Sequence, residues 1–111
     1  MEPILKELFP EKRMKPRILC NFPAVLQGQD ALGRIFEETA RVLNLSSGGI
    51  FIVTDRSIQK NSELFVNIAL PTGSLVWGTS NLSTVGEVIW TEDQIDGATG
   101  LAIKFKEYKF L

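Results

Sequence analysis

At 111 residues the chain can build one hydrophobic core and not two, and its 44% hydrophobic and 23% charged residues lie near globular averages, which excludes wholesale disorder and a coiled coil. Twelve basic against thirteen acidic residues leave a net charge of −1, so no global field draws the chain to nucleic acid and any anion site must be local. No apolar run approaches the ~20 residues that cross a bilayer, no secretion signal opens the chain and its single Cys20 cannot form an internal disulfide, so cytoplasmic residence without membrane insertion is expected.

Residues 1–12 form a lead-in, in which Ile4, Leu5, Leu8 and Phe9 are spaced as in a short helical turn before Pro10 and a charged run. From Arg17 to Gln27, Ile18, Cys20, Phe22 and Val25 roughly alternate with other residues. This predicts a first strand, with Pro23 marking an edge or bulge and Cys20 a small core residue. Gly28, Gln29 and Asp30 supply turn chemistry. Leu32 to Leu45 is ambiguous, because Ile35, Phe36, Thr39, Val42 and Leu43 also make a helical stripe. Gly49 to Thr54 is a β-branched and aromatic run suited to a buried strand, and Asp55 to Ser62 is a polar connection.

Leu64, Val66, Ile68 and Leu70 alternate strictly with their neighbours until Pro71, the clearest strand in the chain. Leu75 to Trp77 suggests a short strand, Gly78 to Ser83 a loop, and Thr84 to Trp90 a further strand. A turn-rich stretch from Glu92 to Gly97 leads to a last strand over Gly100 to Phe105. Five or six short strands punctuated by Gly, Pro, Asn and Asp predict an antiparallel sandwich or a closed barrel. The barrel is favoured, since closure hides hydrogen-bonding edges.

The absence of histidine removes the usual general base and the commonest metal ligand, and one cysteine gives no thiolate cluster. Glu37 and Glu38 are adjacent and would face opposite sides of a strand, and no Gly-Lys-Ser phosphate loop is present. No catalytic residue, metal site or cofactor is therefore expected. Two patterns remain. Lys12, Arg13, Lys15 and Arg17 gather four cations within six positions, with Arg13 and Arg17 in Arg-x-x-x-Arg spacing just before the first strand. Asn44-Leu45-Ser46-Ser47-Gly48-Gly49 reads Asn-x-Ser-x-x-Gly between two predicted strands. Alone, the first also reads as a solvated charged tail and the second as an ordinary polar turn.

In this order and at this distance the two patterns resemble the signature motifs of the PilZ family, which are Arg-x-x-x-Arg in an N-terminal loop and Asp/Asn-x-Ser-x-x-Gly at a strand turn. Gly49-Ile50-Phe51-Ile52, Gly86-Glu87-Val88-Ile89-Trp90 and Gly100-Leu101-Ala102-Ile103-Lys104-Phe105 are similar to strands of that family, so the likeness covers most of Arg13 to Phe105. It makes Leu32 to Leu45 a strand. It also implies an all-β fold: a lead-in over 1–12, then over 13–111 a small six-stranded antiparallel barrel with a flexible N-terminal motif-bearing loop.

The function implied is a bacterial receptor for the second messenger cyclic di-GMP that signals through ordering of that loop to a protein partner or fused effector domain. The implied ligand-binding residues are Arg13, Arg17, Asn44, Ser46 and Gly49. Lys12 is an accessory candidate that reads equally as a solvated cation. Arginine suits the ligand because its planar fork pairs with guanine or phosphate oxygens and its face stacks on a base. Pro16 restricts the loop before binding, lowering the ordering cost. Asn44 offers an amide donor and acceptor, Ser46 a hydroxyl, and Gly49 a close backbone passage or a positive φ. Trp77 and Trp90 read as core or barrel-rim residues. The chain ends at Leu111, where the fullest family pattern often continues into a helix, so the helix is dispensable or the chain is a fragment. The competing reading is a PilZ-like protein-interaction module that binds no nucleotide. A barrel for single-stranded nucleic acid is disfavoured by the charge.

Overall fold

In the computed structural model, residues 17–71 and 79–110 are described. Six strands form: β1 (Ile18–Gln29), β2 (Ile35–Leu45), β3 (Gly49–Thr54), β4 (Glu63–Pro71), β5 (Thr79–Asp93) and β6 (Thr99–Phe110). All pairings are antiparallel, and the ring closes in the order β1-β2-β3-β6-β5-β4. The seam that closes it is short, since β1 and β4 pair only from Ala24↔Ile68 to Gln27↔Phe65.

Alternation drives the architecture. Leu64, Val66, Ile68 and Leu70 of β4 point into the barrel while Glu63, Phe65 and Asn67 point out. Leu26, Val42, Leu45, Ile52, Leu82, Val88, Leu101 and Ile103 complete a lumen packed with aliphatic side chains. Cys20 is half-buried against this core with its Sγ 3.4 Å from the Val42 carbonyl oxygen, and burial raises its thiol pKa. Thr84, also inside, donates its hydroxyl to the Val66 carbonyl at 2.9 Å.

The β1–β2 turn is organised by Asp30. Its buried carboxylate accepts from the Leu32 N–H at 2.9 Å and the Arg34 N–H at 3.0 Å, and Gly33 takes a φ of 82°. Arg56, from the β3–β4 connection, donates to Asp30 at 2.9 Å and pairs with Glu38 at 3.0 Å while lying 4.8 Å over the Phe36 ring. The Arg34 N–H foremost, then the Leu32 N–H and the Arg56 guanidinium, hold the Asp30 carboxyl below its ordinary range against the cost of burial.

Several strands run differently from expectation. Leu32 to Arg34 belong to the turn, and Gly28 and Gln29 stay in β1. Thr79 to Ser83, expected as loop, are the first part of β5 and pair with Asn67 to Pro71. They satisfy the strand pattern with a polar outer face, Asn81 outside and Leu82 fully buried, which small polar residues disguise. β6 runs on past Phe105 to Phe110, where Lys106–Phe110 lie along the start of β5. The segments expected as a lead-in over 1–12, as the loop carrying Arg13 and as a strand over Leu75 to Trp77 lie outside the described residues.

Candidate functional site

The β2–β3 turn is built by one hydroxyl. Ser46 Oγ donates to the Gly49 carbonyl at 3.2 Å and accepts the N–H groups of Gly48 at 3.2 Å and Gly49 at 3.1 Å, using its one proton and both lone pairs. The Ser46 N–H adds a bond to the Gly49 carbonyl at 2.9 Å. Ser46 thus shapes the turn rather than extending a free hydroxyl from it.

Gly49 is required by proximity. Its φ is not positive, but a methyl group there would overlap the Ile103 carbonyl oxygen of β6. That close approach, with the Phe105 N–H donating to the Gly48 carbonyl at 2.9 Å, presses the turn against β6. Asn44 sits at the bulged end of β2, paired with Leu19 on one side and Phe51 on the other, after irregularities that re-aim its side chain.

Arg17, just ahead of β1, is exposed and lines the same cavity as Asn44, Ser46 and Gly49. Its volume is about 680 Å³, inside the roughly 300–1,000 Å³ of ligand pockets. Its floor is the outer face of β3, β6 and β5, where register aligns Phe51, Ala102 and Trp90 in one row and Gly49 with Lys104 in the next. The cavity therefore joins two cations, the Glu92 carboxylate, an amide, a tight turn and two aromatic rings. Among the described residues no three His, Cys, Asp or Glu side chains gather as a metal site. Arg13 and Lys12 lie outside the described residues.

Of the two places expected for Trp90, core or barrel rim, the core is excluded. A bulge between Val88 and Trp90 inserts Ile89, so Val88 points inward and Trp90, 57% exposed, faces out onto the cavity. Its indole N–H donates to Glu92 at 3.0 Å, and Gln94 donates to the other Glu92 oxygen at 3.1 Å. Phe51 and Lys104 also escaped notice in the sequence. Only strand register brings them beside the turn, although the turn itself marked where to look.

The family model described as PilZ domain matches residues 11–109. Among solved structures, the Bacillus subtilis inhibitor of motility MotI/DgrA superposes with a TM-score of 0.69 at 20% identity over 89% of this chain. The chain spans 44% of that protein's length. The PilZ domain with c-di-GMP of YcgR from Escherichia coli gives a TM-score of 0.59 at 17% identity, covering 87% of this chain and 79% of that one. No curated protein matches the chain. At these identities the solved structures speak for the barrel, and the family match, which takes in both motifs and all but the last residue of the six strands, establishes that the chain belongs to the PilZ domain family.

Proposed function

We propose that this domain is a receptor for cyclic di-GMP that acts by binding and not by catalysis. The carrying observation is that Arg17, Asn44, Ser46 and Gly49, drawn from two separate motifs, line one cavity. The solved E. coli relative is described with the same ligand. In this reading Arg17 and Arg13 grip guanine and phosphate oxygens from the N-terminal side, with Lys12 as an accessory cation. Asn44 bonds a base edge, while Ser46 and Gly49 hold the turn at the depth the ligand needs. Trp90 and Phe51 offer faces for a guanine, and Lys104 a charge for a phosphodiester.

Ordering of residues 13–17 around the ligand is the signal, read by a protein partner or an attached effector domain in the cytoplasm. No cofactor, DNA or RNA enters this account. Calorimetric titration of the domain with cyclic di-GMP tests it. Saturable binding that is abolished by Arg17→Ala and by Arg13→Ala, in variants that melt like the parent, is the expected result. No heat at micromolar ligand, or unchanged affinity in both variants, would refute it.

A further inference from the structure

We propose that the opposite end of the barrel is a docking face for a basic segment of a partner protein that carries an apolar anchor; this stands apart from the nucleotide reading. The β1–β2 hairpin runs from Arg17 and Asn44 at one end to the Asp30 turn at the other, and a β2-length strand at ~3.3 Å per residue separates the two by roughly 30 Å. At the far end lies a cavity of about 860 Å³. The side chains that matter in its wall are Gln27, Ile35, Glu37, Gln59, Glu63 and Phe65.

Two features make this wall unusual. Ile35 is 84% and Phe65 53% exposed, with Leu32 of the adjoining turn at 75%. These are large apolar groups held in water by strands whose inner faces are already filled, and such clustering marks interaction surfaces. The wall also contains three carboxylates and no lysine or arginine. Asp30 is met by Arg56 and Arg34, and Glu63 by Lys106 at 2.7 Å. Among the described residues Glu37 receives only the Gln27 amide, at 3.3 Å, and register sets Phe65, Gln27 and Glu37 in one row.

An apolar face beside a carboxylate without a cation gives a phosphate no grip. It complements an arginine whose fork engages Glu37 while its plane, or a neighbouring apolar side chain, covers Phe65. The amides of Gln27 and Gln59 can bond a peptide backbone. A second copy of this chain fits poorly, because a twofold contact through this face would bring Glu37 towards its own counterpart.

The test is selection of a displayed random-peptide library against the folded domain, followed by titration of resynthesised binders into isotope-labelled protein. The proposal expects binders that pair Arg or Lys with Leu, Phe or Trp. It expects their amide shifts to cluster at Gln27–Gln29, Ile35–Glu37 and Glu63–Phe65. It expects affinity to fall about tenfold or more in Glu37→Lys and in Phe65→Ser, as for an interface anchor. Glu37 is exposed and its variant should melt like the parent, whereas Phe65 is half-buried between Gln27 and Val85, so Phe65→Ser should melt lower but stay folded at the titration temperature. Acidic binders, perturbations elsewhere, affinity indifferent to both substitutions, or self-association through this face would overturn it, as would recovery of no binder. Cyclic di-GMP is added in a separate arm, where the peptide is expected to bind equally well with or without it. Failure of nucleotide binding there leaves the peptide result unaffected.

Discussion

Replacing Gly49 with alanine tests how the turn is held against the barrel. The new methyl would overlap the Ile103 carbonyl oxygen and come within 3.4 Å of the Lys104 Cα. Both are backbone atoms, so no rotamer change relieves the clash and the start of β3 must swing away from β6. That movement breaks the Phe105 to Gly48 bond and disturbs the Ser46 to Gly49 bond. Two such bonds at ~1 kcal/mol each, with ~1–3 kcal/mol for overpacking, give a loss of about 3–5 kcal/mol. At about 4–8 °C per kcal/mol for a domain near this size, the melting temperature should fall by well over 10 °C. Urea denaturation followed by circular dichroism gives the free energy directly. Gly97→Ala is the control, since Gly97 has a φ of 89° with nothing within 4 Å of an added methyl. Only the left-handed backbone penalty of about 1–2 kcal/mol applies there. A Gly49→Ala variant within about 0.5 kcal/mol of the parent would show that β3 parts freely from β6 and that close approach is not why glycine stands there.

Ser46→Ala should lower stability by roughly 1–2 kcal/mol, because two N–H groups lose their acceptor, and weaken nucleotide binding with it. Asn44→Ala should weaken binding while leaving the denaturation midpoint in place; calorimetry and urea curves on the pair separate the two roles. In a Trp77→Phe background, Trp90 is the sole tryptophan, and its emission should change as cyclic di-GMP is titrated; unaltered emission together with unaltered affinity in Trp90→Ala would remove it from the site. Asp30 has a lowered carboxyl pKa, so its ionised form stabilises the fold at neutral pH, and that contribution is lost as pH falls below the ordinary carboxylate range through the folded value. Thermal melts of Asp30→Asn against the parent should therefore differ at neutral pH and converge in acid.

What could be read in advance follows from where the determining contacts lie. β3 was legible from Gly49 to Thr54 because its own residues, β-branched and bounded by glycine, settle it. β4 was legible because each alternate residue is aliphatic. The apparent helical stripe of β2 misled because Ile35 and Phe36 face opposite sides, the first exposed and the second buried; only the family resemblance decided that segment. Thr79 to Ser83 and Lys106 to Phe110 become strand through ladders with distant partners that small or charged residues do not announce. The same holds at the site. Its turn was written in Asn44 to Gly49, whereas Phe51, Trp90 and Lys104 join it through a bulge and a three-strand register.

The brevity of the β1–β4 ladder has a consequence for how the molecule comes apart. Four register steps join these strands, as few as join β2 and β3, which the Ser46 turn also tethers, and fewer than the nine between β4 and β5. The other five ladders form a continuous ribbon without this one, so rupture here unrolls the cylinder into a flat sheet that keeps most of its pairing. Such a sheet carries two raw margins and bares Leu26 and Val66 to water. Those margins match each other in sequence, so two unrolled molecules can zip β1 of one to β4 of the other. Exchange of strands between neighbours at high concentration is therefore the failure mode this topology invites.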